Sequence, residues 1–353
     1  MSPMNFHNTR QLKKLNTEQV RAALRACGTA TKAWVAHLTS LSIATCGTIL
    51  DEMVASGEAF ESAPAPSDGG RPARRFTYNP DFQLILALVV EHSGSQLRYL
   101  SRVVNAVGEV KEERSGSPAS AVDYALLRAL AEQAVRRYPA IRAVGIGLPC
   151  VVQDGVVEAG VLPALENIPL GKRLAEDLGL EVLVGNDMLF TTYGFYARQE
   201  GDCGDTVAVL YFPKNACPGS GAVVDGQLLR GASNFAGEIS FLPVGLTCDE
   251  QAALFSGGDP AQQIQVIARM AECVIALLNP STLAVCGDAV QPGMLPEIRA
   301  LCAGQIPEKH LPRMEYLEDV ESCYLSGVVS ITMESLRYRL QSDPAKSEYR
   351  RFL

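Results

Sequence analysis

The spacing of apolar residues changes character near residue 80. Before that point they recur at helical intervals in three short runs. After it, apolar stretches of six or seven residues alternate with longer helical patterns. In the first run Asn16 is placed to cap a helix with Gln19 as its capping-box partner. Val20, Ala23, Leu24 and Cys27 then share one face, and Gly28 suits the stop. A second helix follows Thr31 and carries Trp34, Val35 and Leu38. Ser42 is placed to cap a third, which buries Ile43, Cys46, Ile49, Leu50, Met53 and Val54 and ends at Gly57.

Only Thr39-Ser40-Leu41 separates the second helix from the third, the short interval that a helix-turn-helix requires. Ala44, Thr45, Gly47 and Thr48 form the exposed face at the start of the third helix. Small residues there would let it enter a major groove roughly 12 Å wide. A plain three-helix packing unit fits the same pattern equally well. Strands expected at 58–62 and 74–78, joined by APAPSDGGRPA, add a hairpin directly after the third helix. Such a hairpin can be a solvated loop or a wing, and its place here favours the wing. Ser42, Ala44, Thr45 and Thr48, with Arg71, Arg74 and Arg75 on the hairpin, are the candidate DNA contacts.

Beyond residue 83, LILALVV (84–90), AVGIGLP (143–149), EVLVGN (181–186), TVAVLYF (206–212) and TLAVCG (282–287) read as strands. Helical patterns lie near 119–137, 170–178, 260–278 and 321–340. The alternation predicts an α/β architecture with ligands bound beyond the strand C-termini. Charge follows the same division. Residues 1–80 hold nine Lys/Arg and six Asp/Glu, a balance of +3, and the remainder holds 22 and 33, a balance of −11. A polyanion would meet the first segment and be repelled by the rest. The ten cysteines are scattered with no CxxC, so the reading is buried free thiols, no metal and no cofactor. No apolar run approaches membrane-spanning length, and the polar opening MSPMNFHNTRQLKKLNTEQV lacks a signal-peptide core. Both predict a cytoplasmic protein without a membrane partner.

The succession from Asn16 through LTSLSIATCGTILDEMVASGEAF to GGRPARRFTYNP resembles the winged-helix domain of ROK-type repressors of the N-acetylglucosamine and xylose repressor kind. Further on, VGIGLPC, LPALENIPL with LAEDLGLEVLVGND, GAVVDGQLLRGASNFAGEIS and LNPSTLAVCGD resemble the family's sugar-kinase-like module. The resemblance implies a winged helix-turn-helix over 1–80, then a two-lobed actin-like, ribonuclease H-like fold. The first lobe would cover 81–195 and the second, taking the effector and the dimer contact, 196–320. A helix over 321–340 would return to the first lobe.

Departures from the family pattern define the expected chemistry. Glu91-His92-Ser93-Gly94-Ser95 stands where kinases of the family have D-x-G-G-T, and Asn215-Ala216-Cys217-Pro218 where they have a second Gly-rich phosphate loop. Side chains at former glycines crowd a nucleotide, and proline removes an amide donor. The family's zinc cluster is reduced to Cys248, with Phe241 in place of its histidine, and Val161 replaces a sugar-binding asparagine. Asn186, Asp187, Glu238 and Glu250 match the retained effector-site positions. The implied protein is a DNA-binding regulator, most simply a repressor of carbohydrate genes, with a catalytically inactive sensor for a sugar or related effector. It would bind a double-stranded operator as a homodimer or dimer of dimers. A working carbohydrate kinase and a constitutive DNA binder with a dead pocket are the alternatives.

Overall fold

The structure, a computed structural model, describes residues 9–63, 73–93, 96–118, 121–199 and 206–341. The N-terminal module comprises α1 (Thr9–Cys27), β1 (Thr29–Thr31), α2 (Lys32–Thr39), α3 (Ile43–Ser56), β2 (Ala59–Ser62) and β3 (Arg75–Tyr78). Its strands lie in the order β1-β3-β2. Asn16 is interior to α1 and caps nothing, because the good helix formers Gln11 to Leu15 carry the helix back to Thr9. Val20, Leu24, Val35, Cys46, Leu50 and Phe76 form the core.

Thr31 caps α2 by accepting from the Trp34 amide at 3.2 Å, and Ser42 caps α3 by accepting from the Thr45 amide at 3.0 Å. The two helices meet at 115° across residues 40–42, which is helix-turn-helix geometry. Three expectations need correction. Ile43 is 59% exposed rather than buried, since the first residue of α3 precedes the turn that packs on α2. Gly47 is buried under the Lys32 side chain rather than displayed. Cys27, expected on the apolar face, is exposed.

The first lobe begins with an antiparallel meander of β4 (Leu84–Ser93), β5 (Gln96–Asn105) and β6 (Val110–Gly116). After α4 (Tyr124–Arg137), β7 (Ile141–Leu148) joins β4 in parallel. A small ribbon of β8 (Cys150–Gln153) and β9 (Val156–Gly160) and then α5 (Leu170–Leu178) lead to β10 (Glu181–Asn186), parallel to β7, and α6 (Asp187–Arg198). The second lobe repeats the scheme with β11 (Val207–Tyr211), β12 (Gly219–Val224), β13 (Gln227–Leu228), α7 (Cys248–Gly257), α8 (Pro260–Leu278), β14 (Thr282–Cys286), α9 (Leu295–Gln305) and β15 (Arg313–Tyr316). The helix α10 (Val320–Gln341) follows.

The sheet orders are β10-β7-β4-β5-β6 and β13-β12-β11-β14-β15. In each, the first three strands are an antiparallel meander and the next two add in parallel beside the first. This duplicated topology is the two-lobed actin-like fold. On length and composition α8 could cross a membrane, but half of it is buried, and Ile264, Ile267, Met270, Ala271 and Ile275 sit in the core of the second lobe. A core helix accounts for it.

The lobes are joined by α6 and α10, which cross with almost no space between their backbones. A Cβ at Gly194 would run into the Cys323 carbonyl of α10, and one at Gly327 into the Phe190 carbonyl of α6. Beside the crossing, the Tyr193 hydroxyl donates to Glu334 at 2.6 Å. Replacing either glycine by alanine must push the helices apart, because the obstacle is backbone rather than a movable side chain. Gly194→Ala is expected to destabilise the fold by about 3 kcal/mol or more. Gly304→Ala, in α9 with open space around it, should be neutral or gain up to about 1 kcal/mol. Thermal unfolding of the two variants checks this, and equal melting temperatures would contradict the packing argument.

Candidate functional site

The cleft between the lobes opens at the C-terminal ends of β4, β10 and β11. Asn186 ends β10 and caps α6: its side-chain oxygen accepts from the Met188 and Leu189 amides at 2.8 and 3.3 Å, and its side-chain nitrogen donates to the Cys150 carbonyl at 3.0 Å. Both ends of the amide are thus engaged by protein, and they fix the direction in which the next residue points. That residue, Asp187, accepts from the Met188 amide at 2.7 Å. Burial pushes its carboxyl up to about 7, and the nearby charge of Glu238 adds to the shift. Tyr211 also lies among these acids. Burial raises its phenol, and the Asp187 charge raises it further.

Glu238 reaches the cleft from the second lobe, just before the 3-10 turn Ile239–Phe241. Gly237 places it. At φ 104° this residue has its carbonyl held by the Ser220 amide and hydroxyl at 2.9 and 2.8 Å, and a Cβ would strike the Ser220 carbonyl. Only glycine fits, and β12 thereby anchors the turn. The half-buried Glu238 carboxyl is raised by burial. Asp187 and Glu238 are therefore brought together as two carboxyls facing one cleft. Around them the surface is apolar: Phe235 and Phe241 stack at 5.1 Å between ring centroids, and Val161 is 44% exposed. A cavity of about 240 Å³ lined by Phe235, Glu238, Leu242, Val274 and Leu277 adjoins the turn. Glu250 is not in this group. It is exposed and closes a capping box on α7, accepting from the Thr247 amide at 2.7 Å and the Thr247 hydroxyl at 2.9 Å.

The nucleotide half of the cleft is occupied by the chain's own side chains. Glu91, at the end of β4, pairs with Arg98, and Arg98 also pairs with Glu321 at the start of α10. Gly94 and Ser95 lie outside the described residues. On the opposing loop the Lys214 amide donates to Asp288 at 2.6 Å and the Asn215 amide to Ser256 at 3.0 Å, so these donors are taken. The residues present do not fit a bound ATP. Nor do they fit zinc. Among the described residues no three His, Cys, Asp or Glu side chains gather as a ligand set, and the phenyl ring of Phe241 offers no ligand. Cys217 and Cys248 are joined as a disulfide. This corrects the reading of all ten cysteines as free thiols. Their separation of 31 residues has no periodic or motif signal, so only the fold could bring them together.

On the N-terminal module Ser42 and Ala44 are exposed, and Thr45 lies beside them with its hydroxyl 2.8 Å from that of Ser42. The Thr48 hydroxyl donates to the Ala44 carbonyl at 3.2 Å. Arg74 is gripped by Glu61 at 2.5 and 2.6 Å and approaches Asp51 of α3 at 3.3 Å. Lys32 reaches the same Asp51 at 3.2 Å, and Lys13 meets Glu52 at 2.7 Å. Arg75 is half-buried in β3, opposite Ser62 and Thr31. Arg71 lies outside the described residues. Trp34 and Leu38, which the apolar spacing grouped with Val35 in α2, are both about half exposed, whereas Val35 is buried.

The ROK family model matches residues 100–257, a span that holds both Asp187 and Glu238. The matched segment is similar to the ROK family. A xylose repressor of Caldicellulosiruptor bescii is 26% identical over 226 residues, covering 61% of this chain and 55% of that protein. A second Caldicellulosiruptor sequence, from strain Rt8B.4, is 25% identical over 250 residues, covering 67% and 61%. The chain thus spans about three fifths of the length of the curated relatives it matches. Among solved structures, a ROK family transcriptional regulator, a homologue of the E. coli MLC protein, superposes with a TM-score of 0.68 at 18% identity over 94% of this chain and 99% of that one. A ROK hexokinase from Thermus thermophilus superposes at 0.56 with 16% identity, over 72% of this chain and 100% of its own.

The raised Asp187 carboxyl has a consequence for stability. Between about pH 4 and pH 7 the folded protein keeps a proton that the unfolded chain has released. Its stability therefore falls as pH rises through that window, by on the order of 2–4 kcal/mol. Asp187→Asn removes the charge and should raise the melting temperature by several degrees at pH 8 while changing little at pH 4. The same shift at both pH values would show that the carboxyl is not held protonated by its surroundings.

Proposed function

We propose that the chain is a sugar-responsive transcriptional repressor in which the N-terminal module reads an operator and the Asp187–Glu238 cleft takes a sugar or sugar derivative. One observation carries the reading: a helix-turn-helix with a β-hairpin is packed against α10 of a two-lobed fold whose cleft brings Asp187 and Glu238 together and whose Glu91, Arg98 and Glu321 are tied in ion pairs. The names of the repressor relatives, and the superposition of a ROK regulator over nearly the whole chain, support it. A regulator needs a ligand site and no turnover, and this cleft offers that combination. The protein acts in the cytoplasm, where its DNA is. It works as a homodimer, because one winged module buries only about 600–1,000 Å² on DNA and two, roughly 34–36 Å apart or a multiple of that, are needed for useful affinity.

Operator reading follows from what α3 displays. The helix contains no Arg, Lys, Asn or Gln, so it cannot form the bidentate hydrogen bonds that select guanine or adenine. Its exposed start offers methyl groups from Ile43, Ala44 and Thr48, with the Thr48 hydroxyl already engaged. These suit the C5 methyl of thymine. Ser42, Thr45, Arg74, Arg75 and Arg71 serve as phosphate and wing contacts.

Selection from a random duplex library should yield a two-fold site with thymines at the α3 positions. Replacing one such thymine by deoxyuridine should weaken binding about fourfold per methyl lost, measured by fluorescence anisotropy. No enriched sequence would remove the repressor reading, and enrichment indifferent to deoxyuridine would remove the methyl readout alone. In a coupled assay with hexoses and N-acetylhexosamines no ATP turnover is expected. Turnover of even a few per second would favour a working kinase instead.

A further inference from the structure

We infer that Cys217 and Cys248 form a reversible thiol–disulfide switch that controls the order of the chain segment carrying Glu238. The inference rests on the reading of that segment as one wall of the effector cleft.

The two cysteines are bridged with their Cα atoms 5.6 Å apart. Cys217 lies in the loop from β11 to β12, and Cys248 is the first residue of α7. Everything between them belongs to one excursion: β12, β13, and then residues 229–247, which contain little regular structure beyond the turn Ile239–Phe241. Gly237, Glu238 and Phe241 are all in it. The bridge closes this excursion into a ring at its base. Next to the ring's closure, Gln251 of α7, fully buried and one turn beyond Cys248, donates to the Ser240 and Leu246 carbonyls at 2.8 and 3.0 Å. The helix start pinned by Cys248 is thus the same helix start that grips the backbone two residues from Glu238. When the bridge opens, α7 and the 213–218 loop lose their covalent tie, and the hold on Ser240 and Leu246 loosens with it.

Solvent can reach this pair. Cys248 is exposed and Cys217 partly so, whereas Cys46, Cys150, Cys286, Cys302 and Cys323 are buried. An accessible disulfide is the kind that exchanges with dissolved thiols, and in reducing compartments disulfides serve chiefly as transient or sensing devices. The co-reactant is a small-molecule disulfide such as oxidised glutathione. One protein thiolate attacks it, forming a mixed disulfide and expelling one glutathione thiolate. The second protein thiolate then attacks the mixed disulfide at the protein sulfur, forming Cys217–Cys248 and expelling the second. Two electrons pass from the cysteine pair to glutathione disulfide, and the two cysteine protons end on two molecules of glutathione. Excess reduced glutathione runs the sequence backwards.

The test uses the full chain, equilibrated with either oxidised glutathione or dithiothreitol. Intact mass after alkylation should show two fewer modified thiols with no glutathione adduct on either cysteine in the oxidised sample, whereas Cys217→Ser should form no bridge and carry instead a glutathione adduct on Cys248. Hydrogen exchange of peptides from 229–247 should be at least tenfold slower in the oxidised protein and insensitive to redox state in Cys217→Ser and Cys248→Ser. Equal alkylation in both samples, or equal exchange in both, overturns the switch. Neither measurement uses a sugar, so failure of the effector reading is separable. Thermal shift with D-xylose, D-glucose and N-acetyl-D-glucosamine should be larger for the oxidised form. Slowed exchange with no sugar shift in either form supports the switch and removes the sugar reading.

Discussion

Helices can approach backbone to backbone only where neither carries a side chain at the crossing, and α6 and α10 meet that condition at Gly194 and Gly327. The arrangement of both lobes depends on this contact. The helix α6 begins at Asp187, so the crossing fixes where that carboxylate sits. Meanwhile α10 begins at the Glu321–Arg98 pair, buries Tyr324, Leu325, Val328 and Ile331 against the first sheet, and ends its described course against the N-terminal module, where Met333 packs on the core of the helix-turn-helix. One pair of helices therefore touches the cleft at Asp187, the Arg98 ion pairs and the N-terminal module. A close-packed crossing of this kind does not deform gradually; it shifts as a unit. A ligand that binds Asp187 more strongly in one position of α6 biases α10 by that difference in affinity and by no more.

The cleft sets a near-neutral carboxyl opposite a side already held in ion pairs. A general base toward a sugar hydroxyl must be ionised and must face a bound phosphoryl donor. Here the carboxyl of Asp187 titrates near neutrality because protein surrounds it and Glu238 adds like charge. It can donate as well as accept a hydrogen bond, and a carboxyl poised near neutrality can hold a hydroxyl or take its proton. On the donor side Arg98 is committed to ion pairs with Glu91 and Glu321, so its charge is already compensated where a phosphate would need it. Phe241, three residues beyond Glu238, and Val161 both expose apolar side chains.

Much of this was legible in the sequence where a local rule decides the outcome. Ser42 and Gly57 delimit α3 because capping chemistry acts within one turn, and the bounds of α5 and α8 follow from their apolar spacing. The strands β5 and β6 escaped notice because Arg98, Arg102, Lys111, Glu112, Glu113 and Arg114 break any apolar run; Arg98 and Arg102 pair across the sheet with Glu91 and Glu113, and the others find partners elsewhere, Lys111 with Asp81 and Glu112 with Arg137. Ile43 misled because helical spacing alone cannot say which end of an apolar stripe runs past its neighbour. Glu250 misled for a different reason: a carboxylate three residues after a threonine is as good a cap as a ligand. The pairing of Cys217 with Cys248 depends on two loops that only the completed second lobe brings side by side.

The seam between the DNA module and the lobes has a different physical character from the crossing that feeds it. A cavity of about 380 Å³ separates α1 from α10 and the β5–β6 turn, with Arg25, Asn105, Val107 and Met333 on its walls. Contact is made chiefly by Met333 and Ala106 against the module's core. A methionine has an unbranched, adaptable side chain, and an unfilled volume beside it removes the contacts that would fix a single orientation. The rigid part of the path thus ends at a seam that tolerates rotation of the module. On the module itself Asp51 and Glu61 keep Lys32 and Arg74 in place, and because these ion pairs are exposed, a competing anion could exchange with the carboxylates at little cost.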